Sequence, residues 1–104
     1  MGVSRLDSLC LFGPNATVAS GTTSTNFPIP VNGLVTFQVA STSLGGGTLT
    51  VQAFDGTNWN TITGLSITAN GTYTWQGVAL GLRAVLTGGT GATGLSVIAV
   101  LIEF

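Results

Sequence analysis

Few side chains in this chain could do chemistry. Of 104 residues, only Arg5, Asp7, Asp55, Arg83 and Glu103 carry formal charge, and there is neither histidine nor lysine. General acid–base catalysis asks for a histidine, or for a carboxylate held beside a partner that shifts its pKa. The three carboxylates lie on separate stretches, so their spacing sets up no acid pair. Asp55 also has a structural explanation, because it opens Asp55-Gly56-Thr57-Asn58, where an aspartate can bond the backbone amides of a turn. Serine and threonine are abundant, but a hydroxyl nucleophile needs an activating base and none is in the sequence. One cysteine and no histidine argue against zinc, and no spaced acidic loop is present for calcium. The expectation is a protein that is not an enzyme, with no catalytic residues, no metal and no cofactor.

Other candidates have plainer explanations. Residues 88–94, GGTGATG, look like a phosphate loop, but the lysine is missing and a strand pattern follows where a helix should start. Asn15-Ala16-Thr17 and Asn70-Gly71-Thr72 fit the glycosylation pattern, which a threonine-rich chain meets by chance. Cys10 sits between Leu9 and Leu11 and reads as a buried, inert thiol. Trp59, Tyr73 and Trp75 could form a sugar-stacking platform; the competing reading, which the sequence favours, packs the rings in the core. Tyr73 and Trp75 have the same parity and so share one strand face.

The elements that must hold these residues follow a period of two. Val35, Phe37 and Val39 alternate with Thr36, Gln38 and Ala40; Leu49, Val51 and Ala53 alternate with Thr48, Thr50 and Gln52; Leu82, Ala84 and Leu86 share a face. Such alternation marks half-buried strands. Turn residues fall between the runs, at Asn32-Gly33, 45–47, Asp55-Gly56, Asn70-Gly71 and 88–91. The spacing predicts an all-β, antiparallel β-sandwich of jelly-roll or immunoglobulin-like type in one domain. About eight strands are expected, near 4–12, 16–20, 34–41, 47–54, 58–63, 72–76, 81–87 and 94–103. Residues 1–12 read as an N-terminal arm or first strand, ahead of a sandwich domain over 13–104 whose first part, 13–33, is a turn-rich crossing. Pro28 and Pro30 mark an edge or connection there.

The final strand breaks the pattern, being apolar on both faces: Val97, Ala99 and Leu101 on one, Ile98, Val100, Ile102 and Phe104 on the other. A strand of this kind is covered on both sides. Either the core wraps it or a second subunit covers its outer face, and the sequence leaves both open. A net charge of −1 with two separated arginines excludes a phosphate-binding surface, so neither nucleic acid nor an anionic membrane is expected. The longest apolar run, 97–102, is far below the roughly 20 residues of a spanning helix. The opening MGVSRLDSLCLF has Asp7 within its apolar patch and no small-residue cleavage site, so no secretion signal is read there. Near-zero net charge promotes self-association, a liability in a monomer that an assembly subunit tolerates.

From Gly47 to Gly94 the chain reads GTLTVQAFDGTNWNTITGLSITANGTYTWQGVALGLRAVLTGGTGATG. The pieces Thr48–Gln52, Asp55–Trp59, Ile67–Tyr73 and Leu82–Gly91 together resemble a pattern in small β-sandwich structural proteins of tailed bacteriophages. The resemblance covers roughly the C-terminal 60 residues and implies a virion component, most similar to the capsid decoration or cement type. By that resemblance the protein would be made in the host cytoplasm and sit on the outer surface of the phage head. It would be a homotrimer, with itself and the major capsid protein as partners. Candidate contact residues are Arg5, Asp7 and Phe12 on the N-terminal arm and Val100, Ile102 and Phe104 on a subunit seam. The alternative is a carbohydrate- or receptor-binding module of a fibre or tail, working through Trp59, Tyr73 and Trp75.

Overall fold

The alternating runs all become strands. The computed structural model describes residues 6–26 and 31–103, and at Leu6, Asp7, Val31 and Glu103 it describes the backbone only. Seven strands are found: β1 Leu6–Val18, β2 Val31–Ala40, β3 Thr48–Phe54, β4 Trp59–Ile67, β5 Gly71–Ala79, β6 Gly81–Thr87 and β7 Ala92–Glu103. They form a four-stranded sheet in the order β1-β7-β2-β5 and a three-stranded sheet in the order β4-β3-β6, with every pairing antiparallel. Two sheets face to face are a β-sandwich, as the alternation predicts. The core lies between them, where Val35, Phe37 and Val39 meet Leu49 and Val51, Leu82, Ala84 and Leu86, and Leu95, Val97, Ala99 and Leu101. Each fully buried large side chain contributes about 1.5–3 kcal/mol relative to exposure.

The strand count differs from the sequence expectation at one place. The separate strands near 4–12 and 16–20 are a single strand, so β1 runs past residue 12 and through the turn-like Gly13-Pro14-Asn15. The ladder with β7 slips at three points, between Cys10 and Phe12, Phe12 and Ala16, and Ala16 and Val18. Because β1 pairs on one side only, these residues form bulges rather than ending the strand. The Asn15 backbone N–H is taken up by the Ser96 hydroxyl at 3.0 Å. Pro28 and Pro30 lie outside the described residues.

What reads as a turn-rich crossing after β1 in fact closes one side of the sandwich. The Gly21 N–H donates to the Leu86 carbonyl, Leu86 N–H to Thr22 and Ser24 N–H to Ala84, so 21–24 zips along the free side of β6. Ser24 is buried, and its hydroxyl accepts from the Ala84 N–H at 2.8 Å while donating to the Thr25 carbonyl at 2.8 Å. Ser24→Ala would leave a buried amide unpaired. The expected loss is about 1–3 kcal/mol, visible as a lower urea midpoint at unchanged slope.

The sheet edges are unequal. β1 carries its three slips, and β4 is broken between the pairs Gln52–Thr61 and Thr50–Ser66. β5 is paired with β2 without a slip from Val31–Ala79 to Val39–Gly71, and its sequence GTYTWQGVA holds no charge and no proline. Natural edges are blunted by bulges, charge or proline. β5 has none of these.

Candidate interaction surface

The two faces of β7 have different surroundings. Leu95, Val97, Ala99 and Leu101 are buried against the three-stranded sheet, whereas Ile98 and Ile102 on the outer face are 39% and 41% exposed, with Val100 half-buried between them. Of the two readings left open by the sequence, the described residues do not bear out the first: among them the core wraps β7 on the inner side alone. Cross-strand neighbours extend the apolar stripe, since Ile98 stands opposite Cys10 and Ile102 opposite Leu34. Ser8 and Thr36 flank Val100, and the β5 positions that follow, Thr72, Thr74 and Gln76, are polar. Val78 and Leu80, 74% and 53% exposed, lie in and just after the end of β5. The four large apolar side chains exposed among the described residues therefore all lie on this face of the molecule or at the end of its open edge.

The sequence-derived contact residues fall in different environments. Val100 and Ile102 lie on the stripe just described. Phe12 is only 6% exposed and belongs to the core, because the slip between Cys10 and Phe12 turns it inward. Asp7 stands opposite Leu101 in backbone register. Arg5 and Phe104 lie outside the described residues. Cys10, expected to be buried, is half-buried on the outer face, its thiol donating to the Phe12 carbonyl at 2.9 Å.

The three aromatic residues of the ligand-platform reading are not brought together. Tyr73 and Trp75 stand opposite Phe37 and Val35 on the inner face of the four-stranded sheet and pack against the core. The Trp75 indole lies over Gly77, and the Tyr73 hydroxyl donates to the Ala69 carbonyl at 2.7 Å. Trp59 is on the other sheet, opposite Phe54 and on the outer face. Its ring centroid is 4.9 Å from that of Phe54, and the Arg83 guanidinium carbon sits 4.3 Å over it. Arg83 Nε donates to Gln52 Oε1 at 2.8 Å. This outer cluster of Phe54, Trp59, Gln52 and Arg83 is absent from the sequence reading. Parity alone marks Gln52 and Phe54 as outward, alongside Thr48 and Thr50.

The fold is similar to that of a prophage protein. The crystal structure of SPBc2 prophage-derived protein YomS matches with a TM-score of 0.73 over 99% of this chain and 97% of that one, at 13% sequence identity. No family model matches the chain, and no curated protein matches its sequence. A match over nearly the full length of both chains means that the strands at either end belong to the shared fold. At such low identity the likeness is one of architecture.

Asp55 does what its turn position predicts. Its Oδ1 accepts from the Thr57 and Asn58 backbone N–H groups at 2.8 and 2.7 Å, and Oδ2 accepts from the Asn60 side-chain amide at 3.0 Å. The Asn58 amide first, then those of Thr57 and Asn60, hold its carboxyl below the usual carboxylate value. A depressed carboxyl stabilises the fold above its unfolded pKa of about 3.9 and stops doing so as the pH falls through the folded value. Asp55→Ala is expected to lower the melting temperature near neutral pH. The difference from wild type should shrink as the pH falls below the unfolded value and through the lower folded one, where the carboxylate gains its proton.

Proposed function

We propose that this chain is a non-enzymatic structural subunit of a phage or prophage particle, of the capsid decoration or cement type. It would assemble with copies of itself, as a homotrimer, and with the major capsid protein on the outer surface of the head. The observation that carries this reading is the stripe Ile98–Val100–Ile102 with Leu34 at the centre of the four-stranded sheet, which no other described element packs over. A soluble sandwich ordinarily keeps polar side chains on an outer face. Here β7 in the middle of the sheet presents isoleucines, and β5, at the sheet edge beyond β2, lacks the features that stop edge pairing. Both suit a molecule whose neighbours complete it. The full-length likeness to a prophage-derived protein points to the same biological setting as the sequence pattern over 47–94. Low charge fits as well, because repeated modest contacts in a lattice become strong collectively.

The carbohydrate- or receptor-binding alternative draws less support, since its three rings are divided between two sheets. Two measurements test the proposal. Native mass spectrometry of the purified chain is expected to give three times the 10.4 kDa protomer mass. Quantitative proteomics of purified particles is expected to find the protein at a copy number comparable to the lattice protein. A monomer in dilute buffer that is absent from particles overturns the reading; a handful of copies per particle moves it from head to tail.

A further inference from the structure

We propose that the outer face of the three-stranded sheet, around Arg83, is a docking point for a carboxylate side chain of a different protein. The site itself rests on its geometry; only the nature of the partner is taken from the reading of the chain as an assembly subunit.

Arg83 is the one cation among the described residues, and it is half-buried on a sheet face with no ion-pair partner among them. A guanidinium bound only for packing would fold onto the nearest carboxylate if one were offered. None is. Asp55 already spends both oxygens on Thr57, Asn58 and Asn60, and Asp7 and Glu103 belong to β1 and β7 of the other sheet. Arg83 is nevertheless held in place. Gln52, directly opposite on β3, takes its Nε, and Trp59 lies under its guanidinium carbon at 4.3 Å. With Nε engaged, the two Nη groups remain as a fork of parallel donors, and no acceptor among the described residues takes them. That fork matches the two oxygens of a carboxylate.

The surroundings decide the class of ligand. Phe54 and Trp59 place apolar surface beside the fork, and arginine with tryptophan at a partly dry site is the composition of interface hot spots. Flat stacking of a sugar is disfavoured, because the Trp59 ring already packs against both Arg83 and Phe54. A second copy of this chain is a poor source of the acid, having three carboxylates of which one is fully engaged. An acidic residue on a foreign protein satisfies the charge and the fork together. The surface is separate from the Ile98–Ile102 stripe, so one sheet would serve the copies and the other the foreign partner.

The test is a titration of the 15N-labelled full chain at low ionic strength, watching the Arg83 Nε and the Trp59 and Trp75 indole signals. The probe is a tetraglutamate peptide with blocked ends, compared with tetraglutamine, inorganic phosphate and glucuronate. Tetraglutamate is expected to shift the Arg83 and Trp59 signals saturably and leave Trp75 unmoved, and tetraglutamine is expected to do nothing. Added salt at about 0.5 M should abolish the shifts by screening. Arg83→Gln should weaken the binding read at Trp59 roughly tenfold or more, with Arg83→Lys between it and wild type because it keeps the charge without the fork. Unchanged far-ultraviolet circular dichroism would show both variants folded. The proposal is overturned if phosphate or glucuronate acts at lower concentration than the peptide, or if no probe moves Trp59. Neither outcome touches the oligomer mass or the particle content, which test the structural-subunit reading on their own.

Discussion

Gly45→Ala is expected to destabilise the fold by roughly 2–5 kcal/mol, summing backbone strain and overpacking. That is a large share of a stability of about 5–15 kcal/mol for a domain of this size. At one end of the sandwich the β2–β3 loop and the β6–β7 loop lie backbone against backbone. The Thr90 N–H donates to the Gly45 carbonyl at 3.0 Å, and a Cβ on Gly45 would run into the Gly91 carbonyl oxygen and meet Thr90 Oγ1 at 2.8 Å. Its φ of +62° adds the left-handed strain. The Thr90 hydroxyl could rotate away, but the Gly91 carbonyl is backbone and cannot swing aside, so one loop must leave the other. The adjacent Gly46 separates the two causes. It too has positive φ, +77°, but nothing lies within 4 Å of its would-be Cβ. Gly46→Ala should therefore show the strain alone, about 1–2 kcal/mol. Urea midpoints of the two variants measure the difference; equal losses would mean that the loops are not packed as described.

These loops were marked in the sequence as 45–47 and 88–91, and their role as turns was legible for a simple reason. A glycine run between two alternating strands can do little else locally. The inward faces of β2, β3 and β6 were legible on the same basis, because Val35, Phe37 and Val39, or Leu82, Ala84 and Leu86, are unbroken in parity. The outward face of β7 was legible as a question, since Ile98, Val100 and Ile102 alternate with residues equally apolar. Only the position of the other sheet answers it.

What was not legible depends on bulges. Trp59, Leu65 and Ile67 have the same parity, so counting by twos places all three in the core. β3 advances two residues between its pairs with Thr61 and Ser66 while β4 advances five, and that odd excess flips the face. Trp59 therefore points outward while Leu65 and Ile67 are buried. Nothing local announces the insertion beyond Gly64. Phe12 is the same case on β1, where the slip after Cys10 turns toward the core a residue that the arm reading left exposed. The Arg83–Gln52–Trp59 cluster depends on both register and bulge, which is why its members looked unrelated in the sequence.

The second large effect is expected in assembly rather than folding. Ile98→Asp with Ile102→Asp places two charges on the exposed stripe of β7. In the isolated chain the cost is small, of the order of the 1 kcal/mol spread of strand propensities, because both side chains already meet water. If a neighbour covers the stripe, each substitution removes an isoleucine burial worth about 1.5–3 kcal/mol and adds an unpaired charge to an apolar contact. The expected result is association weaker by a factor of roughly a hundred or more. Native mass would fall to the protomer value while circular dichroism and the urea midpoint stay near wild type. Thr74→Lys on the outer face of β5 serves as the comparison, since a lysine there guards the open edge without touching the stripe. Loss of assembly in the aspartate variant but not in the lysine variant assigns the contact to the face, and the converse assigns it to the edge. Assembly that survives both substitutions would remove the physical basis for the proposed role, because these are the two surfaces of the four-stranded sheet that the fold leaves unfinished.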